Sequence, residues 1–96
     1  MVVAVALKRI SQPLTELGSS EHLDNLTTTG VYHQALSRNA EVNNGYPEAQ
    51  AGLLEVISPS GVQMVYQRYT IYNSRGMYFR GFYGSSWGPW KKVLTE

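Results

Sequence analysis

The chain has no cysteine among its 96 residues. That removes a disulfide framework, a thiol nucleophile and zinc–thiolate ligation, and it leaves the redox compartment open. No apolar run approaches the roughly 20 residues that a membrane-spanning helix needs, so the chain is not expected to span a bilayer. Charge is scarce at 16%, yet hydrophobic residues reach 43%, which favours a folded domain over a disordered tail. Four prolines do not alter that reading. Surface scaling gives about 5,500 Å² exposed when folded against about 15,500 Å² unfolded for a chain of this mass. One modest core follows, and a two-domain enzyme with an interdomain cleft is excluded.

Catalytic patterns are also scarce. His22 and His33 have no i, i+4 partner and no HExxH context, so no metal site is expected. Glu16, Glu21, Asp24, Glu41, Glu48 and Glu55 precede residue 56, and nothing in their spacing singles out a glycosidase pair. Gly84-Ser85-Ser86 lacks the flanks of a nucleophile elbow. Asn25-Leu26-Thr27 matches a glycosylation sequon, a weak signal without a secretory leader. Arg80-Gly81-Phe82 opens like an RNA-recognition signature and departs from it at Tyr83, so no nucleic acid is expected. The reading is a non-enzyme with no cofactor.

At the N-terminus, Met1 to Leu7 is apolar, but Lys8 and Arg9 follow the run instead of preceding it, the reverse of a signal peptide. An opening strand or the end of an upstream element is expected there. Ser11 to Asn25 reads as turn-like, with a short helical turn around Glu21 to Leu26 and no capping box. Val31 to Leu36 is a strand candidate, and Arg38 to Gln50 a long polar loop.

Residues 53–94 read as a four-stranded antiparallel meander. Its strands are Leu53–Ser58, Val62–Tyr72, Met77–Tyr83 and Trp87–Leu94. The turns are Ser58-Pro59-Ser60-Gly61, Asn73-Ser74-Arg75-Gly76 and Gly84-Ser85-Ser86. The fold class is therefore mainly β, with long N-terminal loops and at most a short helical turn. Met64, Tyr66 and Tyr72 alternate against Val65, Tyr69 and Ile71, while Met77, Phe79 and Tyr83 alternate against Tyr78, Arg80 and Phe82. Neither face is plainly polar. The N-terminal half, another protomer or a ligand must therefore cover a second side. Trp87 and Trp90 are three apart and would face opposite ways on a regular strand. A one-residue bulge at Gly88-Pro89 would align both indoles, and Pro89 itself demands an edge or a bulge.

Charge is unevenly placed. Residues 1–55 hold three bases and six acids; residues 56–95 hold Arg68, Arg75, Arg80, Lys91 and Lys92 with no acid. Nine of the eleven aromatics fall within residues 66–90. Arginine interleaved with tyrosine and tryptophan suits a glycan or a nucleic acid, while ordinary β-sheet composition accounts for the same residues without any ligand. The candidate receptor-binding residues are Arg68, Arg75, Arg80 and Tyr83, taken as exposed-type groups on or beside the strand turns.

Several strings, in order, resemble the pyocin knob family of phage tail-fibre and R-type pyocin fibre proteins. They are Asn25-Leu26-Thr27 with Gly30-Val31-Tyr32, Tyr46-Pro47, Ala51-Gly52-Leu53-Leu54-Glu55-Val56, and Gln67-Arg68-Tyr69-Thr70. Tyr78-Phe79-Arg80-Gly81-Phe82 and Trp87-Gly88-Pro89-Trp90-Lys91-Lys92-Val93 close the series. Thr29 stands where the family commonly has proline before Gly30. The resemblance implies a β-rich knob over residues 25–96, preceded by a shaft or linker segment over 1–24. It also implies a homotrimer within a longer fibre, made in the host cytoplasm and acting outside it on a virion tail. The partner would be a bacterial surface polysaccharide or outer-membrane receptor, bound multivalently. Trp87, Pro89, Trp90 and Gly30 are then structural. A purely structural trimerisation module and an accessory domain of a depolymerase are the alternatives.

Overall fold

The computed structural model describes residues 14–59 and 63–94. The expected opening strand at Met1 to Leu7, and Ser60, Gly61 and Val62 of the first meander turn, lie outside the described residues. Among the described residues seven short strands form one sheet: β1 Leu14–Glu16, β2 Gly30–Gln34, β3 Gly52–Ile57, β4 Met64–Ile71, β5 Met77–Tyr83, β6 Ser86–Trp87 and β7 Lys91–Lys92. Spatial order follows the chain from β1 to β6, and β7 returns to pair with β5. β1 runs parallel to β2; the other pairs are antiparallel. The fold is mainly β, as the alternation and turn residues of the sequence require.

The turns explain the register. Gly84 has φ 70° at the first central position of the tight β5–β6 turn, a conformation that glycine adopts without a Cβ penalty. In the β4–β5 hairpin, Ile71 N donates to Gly76 O at 2.9 Å, and Ser74 takes the left-handed φ of 65° that closes the loop. Gly52 opens β3 where a Cβ would fall 2.3 Å from Thr70 O and 2.9 Å from the Tyr69 ring, so no larger residue fits without displacement.

Two sequence expectations change. Leu14–Glu16, expected as part of a turn-like stretch, is an edge strand, and Leu17 N extends its pairing by donating to His33 O at 2.8 Å. Three residues are too few to show an alternation. The expected fourth meander strand, Trp87–Leu94, is broken into β6 and β7. Its two halves differ in register. Phe82 faces Trp87 and Phe79 faces Lys91, so the two residues 80–81 oppose the three residues 88–90. That is the one-residue bulge expected at Gly88-Pro89.

One sheet face is covered. Leu54, Val56, Val65, Tyr69 and Ile71 point into a core closed by Leu17, Leu23, Ala40 and Tyr46 from the segments outside the meander. Each fully buried large side chain contributes on the order of 1.5–3 kcal/mol. The helical turn expected near Glu21 to Leu26 is a 3-10 turn, Leu23–Asn25, capped by His22 Nδ1 accepting from Asp24 N at 3.1 Å. Packing does not divide at residue 24, because Leu17 and Leu23 share one core with Tyr46 and Leu54. The Arg38–Gln50 loop contains the 3-10 turn Val42–Asn44 and delivers Tyr46, 2% exposed, edge-on to Tyr69 with ring centres 5.5 Å apart.

Two buried glutamines fasten this cover. Gln34 Nε2 donates to Gly18 O at 2.9 Å and Tyr46 Oη at 3.0 Å, while its Oε1 accepts from Leu36 N. Gln67 Nε2 donates to Leu23 O at 2.8 Å and Leu26 O at 3.0 Å. Buried amides of this kind persist only when their hydrogen bonds are made.

Candidate functional site

The sequence-derived candidates fall in three different places. Arg80 is the clearest departure from expectation: it is 8% exposed and faces the core. Register puts it there, opposite Gln67 in the covered row of β4 and β5. Its Nε donates to Gln67 Oε1 at 2.8 Å, and Nη1 lies 2.9 Å from Asp24 Oδ1. The guanidinium carbon sits 4.1 Å from the Trp87 ring centre and 4.4 Å from that of Trp90. Nη2 has no hydrogen-bond partner among the described residues, and the two ring faces provide cation–π contact instead. Burial pulls the Arg80 guanidinium below its ordinary value, and Asp24 acts in the opposite direction. Arg80 is a core residue, and its expected exposure is corrected.

The bulge brings both indoles onto that guanidinium. Trp87 Nε1 donates to Asp24 O at 3.1 Å and Trp90 Nε1 to Gly45 O at 2.7 Å, so each indole closes the cover over the sheet. Pro89 lies in the bulge, where no ladder donor is required of it. Gly30 starts β2 opposite Val56, and a Cβ there would meet only ordinary contacts at 3.6 Å or more, so the glycine is not sterically required. The lead-in is held instead by Thr29, whose Oγ1 accepts from Ser58 N at 2.8 Å. Thr29 thereby fixes, through a hydrogen bond, a turn in which proline would act through its ring.

Arg68 lies on the uncovered face and makes a bidentate pair with Glu55, Nε to Oε1 at 2.8 Å and Nη2 to Oε2 at 3.0 Å. Glu55 thereby holds the Arg68 guanidinium above its ordinary value. Tyr83 shares that face and is 72% exposed. Around them the face is apolar: Ile57, Met64, Tyr66 and Phe79 are between 36% and 58% exposed. Exposed apolar side chains on one face make it a candidate interaction surface.

Arg75 is exposed at the β4–β5 hairpin, at the opposite end of β5 from Tyr83. About eight residues of strand at about 3.4 Å each separate them, so no single site joins the two. Arg75 lines a groove of about 510 Å³ with Lys92, Thr70, Ser74, Met77 and Val93. Lys92 is not among the residues singled out from sequence. Its signal was present, a base in an acid-free stretch, but only the β5–β7 register carries it to the hairpin.

No family model matches the chain. A probable tail fibre protein of Escherichia phage T1 is 38% identical over 77 residues, covering 74% of this chain and 10% of that protein. An N-truncated R2-type pyocin tail fibre has the same fold with a TM-score of 0.78 at 30% identity, covering 88% of this chain and 33% of that one. An R1 pyocin fibre of P. aeruginosa gives 0.76 at 26% identity, over 90% of this chain and 22% of that one. This chain belongs with the phage and R-type pyocin tail fibres. The tail-fibre domain spans only a tenth of its curated phage relative and between a fifth and a third of those pyocin fibre chains.

Proposed function

We propose that this tail-fibre domain works as one of three identical knob units, and that the assembled knob takes part in attachment to the bacterial surface. The observation that carries the assembly is the sheet face on which no element of the described residues packs. A folded chain that already covers one face with Tyr46, Leu23 and both indoles still presents Ile57, Tyr66 and Phe79 on the other. A further copy of the chain is the simplest cover for a domain similar to fibre proteins. Attachment follows from that setting. Three weak sites on one fibre gain avidity by effective concentration, without a tight single site. The receptor would be a surface polysaccharide or another outer-membrane component, engaged outside the cell by a tail made within it.

A second reading, a purely structural module, is favoured by a specific observation. Arg68 and Arg80 are already paired with Glu55 and Asp24, and both indole N–H groups are engaged within the chain. Much of the basic, aromatic character of the C-terminal half is thus internal. Adsorption separates the readings: a labelled chain, fused to a trimeric coiled coil, is applied to a panel of bacterial strains. Strain-selective retention supports attachment. Uniform absence of retention, with the fold intact by circular dichroism, supports the structural module.

A further inference from the structure

Of the five bases between residues 56 and 95, Arg68 and Arg80 have carboxylate partners at 2.8 and 2.9 Å. Arg75, Lys91 and Lys92 form no ion pair among the described residues. Two of those three, Arg75 and Lys92, line the corner groove at the β4–β5 hairpin. Its floor follows from register. Met77 faces Thr70 across β4–β5, and Val93 N donates to Met77 O at 2.8 Å, so Thr70, Met77 and Val93 form one cross-strand row. Gly76 lets Lys92 lie along the rim, since a Cβ at that position would fall 2.9 Å from Lys92 Cε. The carboxylate that Tyr78 holds at this end of the sheet, Glu48, is engaged by the Tyr78 hydroxyl.

The chemistry of the groove is selective. Neither Arg75 nor Lys92 has a carboxylate partner among the described residues. Lys92 Nζ lies 5.9 Å from the Tyr78 ring centre, and both cations favour a carboxylate or phosphate oxygen. Thr70 and Ser74 supply hydroxyl groups, and Met77 and Val93 an apolar floor for the C–H side of a ring. No aromatic side chain lines it, so it offers no platform for nucleobase stacking. Its volume suits a small ligand.

We propose that this groove binds an acidic sugar residue, a uronate or a sugar phosphate of a bacterial surface polysaccharide, with Arg75 and Lys92 on its anionic group. The assignment rests on the attachment reading above.

The test is an amide ¹H–¹⁵N titration of the full chain with galacturonic acid, glucose 6-phosphate and glucose. Saturable shifts at Gly76, Met77 and Val93 with either acidic sugar are expected, with glucose at least about tenfold weaker. Response to galacturonic acid alone assigns a carboxylate, and response to glucose 6-phosphate alone assigns a phosphate; both support the site. The R75E/K92E variant should lose the response with its melting midpoint unchanged, and R75Q/K92Q serves the same purpose if charge reversal impairs folding. Equal binding of glucose overturns the proposal, as does full binding by the double variant. So do identical shifts with inorganic phosphate alone, or tighter binding of an oligonucleotide. Cell adsorption keeps the two readings distinguishable. Equal adsorption of the trimerised wild type and R75E/K92E removes the groove and leaves attachment standing. A trimerised wild type that adsorbs to no strain removes attachment itself.

Discussion

Arg80 Nη1 lies 2.9 Å from Asp24 Oδ1, which ties β5 to the 3-10 turn covering it. The same guanidinium is flanked by Trp87 and Trp90 and accepted by Gln67, so one side chain links the sheet, its cover and the bulge. Arg80→Ala should therefore cost about 2–3 kcal/mol, below the full penalty for breaking a buried pair because Asp24 remains partly hydrated. Urea denaturation checks this. A change under about 0.5 kcal/mol would place Arg80 with ordinary surface residues.

Gln67→Leu keeps the volume but leaves Leu26 O and Arg80 Nε without their partner, while Leu23 O keeps only the Leu26 N–H. Unmet buried groups cost about 1–3 kcal/mol each. A midpoint shift at least as large as that of Arg80→Ala is expected, and hydrogen exchange near Leu26 should rise.

Deleting Gly88 removes the extra residue that shifts register between Trp87 and Lys91. Trp90 would then turn to the opposite face and lose its hold on Gly45 O. A loss of about 2 kcal/mol or more is expected, below the range of about 3–5 kcal/mol for truncating a buried aromatic because Trp90 is only half-buried. Tryptophan emission should shift to the red. Unchanged emission would contradict the bulge as the device that aligns the indoles.

Tyr46 and Tyr69 both have hydroxyls raised above the ordinary value by burial; Gln34 partly offsets this at Tyr46, and Tyr46 adds to it at Tyr69. Folded values above the unfolded value of about 10 mean that their stabilisation is fully present below that pH. It is lost as pH rises through the folded values. Alkaline unfolding should accompany the late phenolate absorbance of these two residues. Ionisation of all seven tyrosines with native circular dichroism retained would contradict it.

The meander was legible because its signals are local. Val65, Tyr69 and Ile71 alternate, and Gly76 and Gly84 punctuate, so β4 and β5 could be drawn from residue order alone. The bulge was legible for the same reason, since Pro89 cannot serve a ladder. β1 was not, because Leu14–Glu16 gains its strand character from parallel pairing with β2, a relation of two distant segments. Arg80 misled for a related reason. Arginine is an exposed-type residue, and only the register with Gln67 and the fold-back of Asp24 give it a buried place. Lys92 belongs with these, since residue order does not bring it to the hairpin.

Trimeric assembly rests on the exposed sheet face carrying Ile57, Tyr66 and Phe79. Sedimentation equilibrium of the purified chain, alone and as Y66E/F79E, tests it most directly. The wild type should sediment as a species of three 10.7 kDa chains, and Y66E/F79E as a folded monomer. A wild-type chain that remains a folded monomer at all concentrations would contradict the claim. So would a variant that associates as strongly as the wild type.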